Sequence, residues 1–231
     1  MSGLGVSRIN APSVPLFPPS ALNGLNSEVR VLVVDEHPLL REGIAATLAG
    51  KSDLTIIGEA GDGPEAIEKF RTLQPDVTVM ELQMRLMNGV DAIRAMRTER
   101  PAAQIVVLTT FAGDVLAQRA LEAGASAYLL KDRVSTELAD IIRAVHRGIK
   151  RIEPSIALQI AEHAAYETLT PRQVEVLQLV SGGHSNKLLA KELMISEETA
   201  KTHVQSIIGK LHARDRTHAV TLGLRRGIIQ L

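Results

Sequence analysis

Four short apolar runs in the first half of the chain each end directly before polar residues. The runs are Val31–Val34, Val77–Met80, Ile105–Leu108 and Ala127–Leu130. Each run is too short for a helix and is rich in β-branched or aliphatic residues, so it predicts a buried strand of a parallel sheet. Stretches of helical period separate the runs, which indicates βαβ units with right-handed crossovers. The pattern therefore predicts a doubly wound α/β domain.

The polar residues that follow these runs are the candidate site. In such sheets functional groups gather beyond the carboxyl ends of the strands, so residues about a hundred positions apart can meet in one crevice. An Asp-Glu pair after a strand is often only a solvated loop, but the Thr109 hydroxyl and the Lys131 amine at the ends of other strands favour a functional site. We call these groups the four polar stations: Asp35-Glu36, Glu81, Thr109 and Lys131.

Length and composition set wide bounds. The chain has 231 residues and no cysteine, which allows two ordinary domains and excludes disulfides and thiolate metal sites. No apolar run approaches the roughly 18 residues that cross a bilayer, and residues 1–27 lack the pattern of a signal peptide. Residues 1–27 are predicted to be a flexible tail. We expect a cytoplasmic protein with no membrane partner.

A net charge of zero conceals an uneven distribution. Residues 168–231 carry nine Lys or Arg against five acids, a net charge of +4, and the remainder carries −4. This division predicts two domains with different partners, the second of them anionic. Residues 150–167 lie between them and are predicted to be a linker with a short helix. The predicted boundaries are therefore 28–149 for the α/β domain and 168–231 for the basic domain.

The basic segment has strong helix signals. Thr170, Pro171 and Gln173 form a capping-box pattern at the start of one helix, which Gly182-Gly183 ends. A second helix is predicted from about Ser185 to Leu193, a third after the N-cap Ser196, and a fourth over about 215–226.

The third helix is amphipathic. One face carries an apolar stripe, and the opposite face is polar, narrow and edged by basic residues, as a helix in a DNA major groove needs to be. The stripe alone is equally typical of a bundle helix. The stripe consists of Ala200, Val204, Ile207, Ile208 and Leu211, and the polar face of Glu198, Thr202, Gln205 and Gly209.

Two resemblances combine these observations. Residues 169–177, Ser185-Asn-Lys187 and residues 196–204 resemble the LuxR-type helix-turn-helix, and Asp215-Arg216-Thr217 and Arg226-Gly227 extend the match. The front half resembles the receiver domain of response regulators. The pairing resembles the NarL/FixJ family, which implies a five-stranded, flavodoxin-like receiver followed by a small four-helix DNA-binding domain.

The resemblance implies roles for the stations. Asp35 and Glu36 would hold Mg²⁺ together with the backbone carbonyl of Gln83, because hard oxygen ligands suit that metal. Thr109 would hydrogen-bond a phosphoryl group, and Lys131 would neutralise its charge. Tyr128 matches the aromatic residue that moves inward when the family's receivers switch.

The acceptor position departs from the family pattern. Glu81 stands where the family has aspartate, and Arg85 where it has proline. The longer side chain occupies space that a phosphoryl group would fill and misaligns an in-line attack, so ordinary phosphorylation is not expected. Glu81 either reaches Lys131 or Thr109 and partly mimics the phosphorylated state, or Arg85 covers the acidic group and displaces Mg²⁺. We favour a weakly active, phosphorylation-independent receiver that binds Mg²⁺ poorly.

The resemblance also implies the DNA contacts and partners. Lys201, Thr202 and Gln205 would read base edges, and the remaining candidates would meet phosphates. We expect a homodimer on two half-sites of double-stranded DNA, with RNA polymerase as a further partner. The family's usual partner, a sensor histidine kinase, is disfavoured by the altered acceptor. The phosphate candidates are Asn186, Lys187, Thr199, His203 and Lys210.

Smaller departures affect the basic domain. Leu188 replaces the family's glutamate three residues after Ser185, which removes the reciprocal half of a capping box. Ala200 replaces the usual valine and thins the core under the third helix. Gly209 and Gly223 lie inside predicted helices, where each is expected to cost up to ~1 kcal/mol.

Two other functions are consistent with parts of the sequence. A partner-binding pseudo-receiver could sequester the basic domain, in which case residues 168–231 alone would bind DNA better than the whole chain. A phosphatase using Asp35 and Glu36 would need a nucleophilic aspartate at the first strand end. Gly61-Asp-Gly63 lacks the third glycine of a dinucleotide fingerprint and is interpreted as a turn. We therefore expect no enzyme activity.

Overall fold

The computed structural model describes residues 28–110, 113–163 and 167–229. The predicted tail, residues 1–27, lies outside this part of the chain. Within these ranges no helix is both long and apolar enough to span a bilayer.

The first half is a parallel sheet wrapped by helices on both faces, as the apolar runs predict. Its strands are ordered β2-β1-β3-β4-β5-β6, and every neighbouring pair is parallel. One buried cluster lies beneath α2, α3 and α4 and another beneath α1 and α5. The elements are β1 (Val29–Val34), α1 (Pro38–Leu48), β2 (Leu54–Ala60), α2 (Gly63–Leu73), β3 (Val77–Met80), α3 (Gly89–Glu99), β4 (Gln104–Thr109), α4 (Asp114–Glu122), β5 (Ala127–Leu130), α5 (Val134–His146), β6 (Arg151–Ile152) and α6 (Pro154–His163).

The sheet has six strands where five were expected. The additional strand β6 lies in the predicted linker and pairs with the free edge of β5, with the Arg151 N–H donating to the Ser126 carbonyl over 3.0 Å. The next helix, α6, begins immediately afterwards and inserts a fully buried Ile156 into the cluster that contains Tyr128. Burial of this apolar side chain stabilises the docking of the linker on the receiver.

The second half is a four-helix domain: α7 (Pro171–Ser181), α8 (Asn186–Leu193), α9 (Glu197–Lys210) and α10 (Arg216–Arg225). The predicted capping box is confirmed, because the Thr170 side chain accepts from the Gln173 N–H while the Gln173 side chain accepts from the Thr170 N–H. Ser196 caps α9 through the Thr199 N–H. These caps fix where the helices begin.

Candidate acid pocket and nucleic-acid interface

The four polar stations meet at the carboxyl edge of the sheet. Strand pairing aligns Val34 with Met80 and Met80 with Val107, so the residues that follow these strands emerge side by side. The Lys131 amine lies between the carboxylates of Asp35 and Glu81, 2.6 Å from Asp35 Oδ2 and in direct contact with Glu81 Oε2. The fold therefore brings the predicted crevice together.

Glu81 is held at both carboxylate oxygens. Oε1 accepts the N–H groups of Leu82 and Gln83 over 2.6 and 3.0 Å, and Oε2 meets Lys131. Only 4% of the residue is exposed. A buried carboxylate with two amide donors and an ammonium partner is well satisfied, so Glu81 has a fixed position within the pocket.

The pocket shifts the pKa of two neighbours. Burial alone would lower the pKa of Lys131, but hydrogen bonds to Asp35 and Glu81 outweigh it and raise that pKa, keeping the amine charged. Burial and, secondarily, the charge of Glu81 raise the pKa of Tyr128. Tyr128 is 1% exposed, and Thr109 is fully buried at the end of β4.

A second basic side chain reaches the other acidic station. Arg85 Nε and the Arg85 N–H each lie 3.3 Å from Glu36 Oε2, and the His37 N–H donates to Asp35 over 2.9 Å. Both contacts weighed from the sequence are thus present together: Glu81 reaches Lys131, and Arg85 reaches Glu36.

The two carboxylates expected to hold Mg²⁺ each have a cationic partner in this arrangement. Asp35 is paired with Lys131, and Glu36 with the exposed Arg85. Across the described ranges, no group of three or more His, Asp or Glu side chains is placed to hold a metal ion. A divalent cation bound by both carboxylates would compete with Lys131 and Arg85 for their charge.

The outer face of α9 is open to solvent. Thr199, Lys201, Thr202 and Gln205 are exposed, and His203 is partly exposed on its flank. The opposite face buries Ala200, Ile207 and the following Leu211 in the helical core. The four exposed candidates therefore form one continuous polar surface. Lys187, on α8, is exposed as well.

Two candidates for phosphate contact are engaged within the protein. Lys210 Nζ donates to the Thr168 carbonyl over 3.1 Å and lies 3.5 Å from the Glu167 carboxylate. Asn186 Oδ1 accepts from Arg216 Nη1 over 3.1 Å. These contacts tie α9 and α10 to the start of α7 and α8. Asn186 Nδ2 and the other two Lys210 N–H groups can still donate to a phosphate while these contacts are kept.

Several contacts were missed from the sequence. Arg41 donates to the backbone carbonyl of Asp35 over 2.7 Å and to the Glu59 carboxylate over 2.9 Å, and it thereby holds the segment that follows β1 in place. Arg226 makes an ion pair with Asp114, 112 residues away. No sequence pattern around Arg41 or Arg226 indicates which residue it contacts. Arg226-Gly227 belongs to the residues that carry the resemblance, but the resemblance implies no contact with Asp114.

Comparison with known proteins supports the assignment of both halves of the chain. Residues 31–143 match the response regulator receiver domain, and residues 167–222 match the bacterial regulatory proteins of the luxR family. The response regulator protein VraR of Staphylococcus aureus is 37% identical over 207 residues, which cover 87% of this chain and 99% of that protein. The chain belongs to the LuxR-type response regulators.

Solved structures of response regulators agree with this assignment. ChrA, the response regulator of a heme-sensing two-component system, is 34% identical with a TM-score of 0.53, and the match covers 89% of this chain and 100% of that one. RcsB from Salmonella enterica serovar Typhimurium has the same fold at 24% identity, with a TM-score of 0.65 over 85% of this chain and 98% of that one. LuxR-type response regulators are DNA-binding transcription regulators rather than enzymes, so the predicted general function is confirmed.

Proposed function

We propose that this response regulator controls transcription without phosphoryl transfer to its receiver. The observation that carries the proposal is the position of Glu81, whose carboxylate accepts two backbone N–H groups and pairs with Lys131. A phosphoryl group would need these donors and this amine for its own oxygens. Glu81 thus supplies a permanent, smaller anion in place of a transient one.

Mimicry by Glu81 is expected to be partial. A carboxylate has two oxygens and one charge, whereas a phosphoryl group has three oxygens and nearly two charges. The buried Tyr128 and Thr109 support a receiver biased toward the active state. The Arg85–Glu36 pair supports a pocket that does not depend on Mg²⁺. A sensor kinase is therefore not needed for output.

The DNA-binding half is proposed to act as a homodimer on paired half-sites. Lys201, Thr202 and Gln205 would read base edges because they lie together on the exposed face of α9. Thr199, His203, Lys187, Asn186 and Lys210 would contact phosphates. Such a regulator would act in the cytoplasm and contact RNA polymerase at the promoter.

The test compares DNA binding by the full chain and its Glu81→Asp and Glu81→Ala variants. Each protein is titrated at fixed salt onto duplexes enriched from a random pool, before and after treatment with acetyl phosphate and Mg²⁺. We expect the unmodified chain to bind without treatment and to stay unchanged after it. Glu81→Ala, which lacks the anion, should bind less tightly.

Glu81→Asp restores the acceptor chemistry and serves as the matched control. Its phosphorylation is followed by intact-mass spectrometry, so that a failed reaction is distinguished from a failed response. If the unmodified chain does not bind DNA and only phosphorylated Glu81→Asp does, Glu81 holds the receiver in its inactive state and the proposal is wrong.

A pseudo-receiver that sequesters its DNA-binding domain is the second candidate. The observation that favours it is the ion pair between Asp114 of the receiver and Arg226 of the helical domain. The exposed face of α9 argues against it, because docking leaves the expected reading residues accessible. Much tighter binding by residues 168–231 than by the full chain would favour sequestration.

A further inference from the structure

One arginine of the helical domain contacts both sides of the start of α8. Arg216 is the first residue of α10, and its Nη1 donates to Asn186 Oδ1 over 3.1 Å. The Nη2 group of the same side chain donates to the His184 carbonyl. Ser185, the N-cap of α8, lies between these two acceptors in the chain. The Arg216 guanidinium therefore ties the first turn of α8 to the segment before it.

The surroundings of Arg216 hold its guanidinium in place. The residue is partly buried, and it lines a narrow space between α7, α9 and α10 together with Val204 and Ile208 of α9. The methylene stem of an arginine packs well in apolar surroundings while its charged end remains with polar partners. Because α9 carries the expected reading residues on its opposite face, Arg216 lies between that helix and the start of α8.

The contact with Arg216 determines which atom of the Asn186 amide points outward. A guanidinium has only N–H donors and no acceptor, so the amide atom that faces Arg216 is the oxygen. The amide nitrogen, Nδ2, lies on the other side and has no acceptor among the residues that the structure describes. Both Nδ2 hydrogens are therefore available to an acceptor outside the protein.

A phosphate oxygen fits this donor. Asn186 is partly exposed, and the next residue, Lys187, is exposed at the same end of α8. An amide donor beside an ammonium group suits an anion that has several acceptor oxygens. If the Asn186 amide were reversed, its oxygen would face the phosphate and no hydrogen bond could form. The orientation of this amide thus decides whether Asn186 strengthens or weakens DNA binding.

We propose that Arg216 is a positioning residue for DNA binding, which acts through Asn186 and does not itself touch the DNA. By donating to Oδ1, Arg216 keeps Nδ2 turned toward the phosphate at the start of α8. The proposal rests on the proposed phosphate contact of Asn186 and is independent of the role of Glu81.

A double-mutant cycle in the full chain tests the proposal. Asn186→Ala removes the donor, and Arg216→Met removes the guanidinium but keeps an unbranched stem beside Val204 and Ile208. Arg225→Met is the matched control, because Arg225 is exposed in the same helix and its loss removes the same charge. Affinity is measured at fixed salt for a duplex enriched from a random pool, and circular dichroism checks that each variant is folded.

We expect Asn186→Ala to bind about threefold to tenfold less tightly than the unmodified chain, the range for one net hydrogen bond. Arg216→Met should show a loss of about the same size relative to Arg225→Met. In the Asn186→Ala background, Arg216→Met should weaken binding no more than Arg225→Met does, because the amide that Arg216 orients is gone.

Arg216→Lys is the second variant and replaces Arg216→Met if that variant does not fold. Lysine keeps the charge but cannot donate in two parallel directions as the guanidinium does. Its loss of affinity should likewise disappear in the Asn186→Ala background, whereas an arginine that stabilises only the fold would weaken binding by the same factor in both backgrounds.

Three results would overturn the proposal: Arg216 variants that bind as tightly as the Arg225→Met control, a loss that persists in full in the Asn186→Ala background, or an Asn186→Ala variant that binds as tightly as the unmodified chain. If the unmodified chain does not bind without treatment, phosphorylation independence fails, and the same cycle is measured in phosphorylated Glu81→Asp. The failure of either proposal is therefore distinguishable from the failure of the other.

Discussion

At the scale of single residues, the chemistry of the pocket depends on one additional methylene. The Glu81 side chain is long enough to accept hydrogen bonds from two backbone N–H groups and to pair with the Lys131 amine at the same time. Lys131 is shared with Asp35, so the amine balances two buried carboxylates that would otherwise repel each other. The pocket is thus held by the charges of its own side chains.

Glu81→Gln should destabilise the receiver. Glutamine keeps the size of the side chain but removes the charge that pairs with Lys131, and because the pair is buried we expect a loss of about 1–3 kcal/mol. Urea unfolding followed by circular dichroism measures it, with the exposed Glu192→Gln as a control that should change stability by less than ~0.5 kcal/mol. Equal or greater stability of Glu81→Gln would show that repulsion from Asp35 exceeds the attraction of Lys131.

The pocket was largely predictable from the sequence. Asp35, Glu81 and Lys131 could be placed together because strand ends of a parallel sheet share one edge. Arg41 was not predictable, because its contact with Asp35 depends on the angle at which α1 crosses the sheet. The coexistence of both alternatives for Glu81 and Arg85 was also not predictable, since pattern alone does not give side-chain reach.

At the scale of elements, local signals predicted helix starts better than sheet edges. The caps at Thr170 and Ser196 depend on residues three positions apart, so they are visible in the sequence. Ser185 caps α8 through the Leu188 N–H, with no glutamate to complete the box. Strand β6 has only two residues, and its pairing depends on where the linker meets β5, which no local pattern encodes.

Two glycines inside helices should respond oppositely to alanine. A Cβ on Gly209 in α9 would meet nothing within 4 Å, whereas one on Gly223 in α10 would lie 2.8 Å from Leu177 Cδ2. Gly209→Ala should stabilise the domain by up to about 1 kcal/mol, because alanine favours the helix. Gly223→Ala should destabilise it by about 1–3 kcal/mol through overpacking.

Thermal unfolding of the full-length variants measures both effects, and each variant is the control for the other. The sequence alone predicted the same cost at both glycines. A gain in stability for Gly223→Ala would show that the core around Leu177 and Ile229 can relax around the methyl group.

At the scale of the whole molecule, the separation of charge was predictable and the docking of the domains was not. The basic excess of residues 168–231 is a property of composition and indicates an anionic partner. The Asp114–Arg226 pair spans 112 residues and involves one side chain from each domain. Neither residue belongs to a periodic pattern, so only the folded chain reveals that the domains meet there.

The charge of the second domain predicts how DNA binding depends on salt. Lys187 is exposed at the start of α8 and is expected to meet a phosphate, so Lys187→Ala should weaken binding about equally across sequences and reduce the slope of log K against log salt by about 1. Gln205→Ala should instead cost about 1–3 kcal/mol at one base position and leave the slope unchanged.

Titrations of the full chain at several salt concentrations, on an enriched duplex and its point variants, separate the two effects. Lys51→Ala is the control, because this exposed lysine lies in the receiver and should change neither quantity. If Lys187→Ala alters sequence preference, or Gln205→Ala changes the salt slope, α9 enters the groove by a different face. Because the salt slope counts neutralised phosphates whatever the base sequence, this pair of variants tests the orientation of α9 on any duplex that the protein binds.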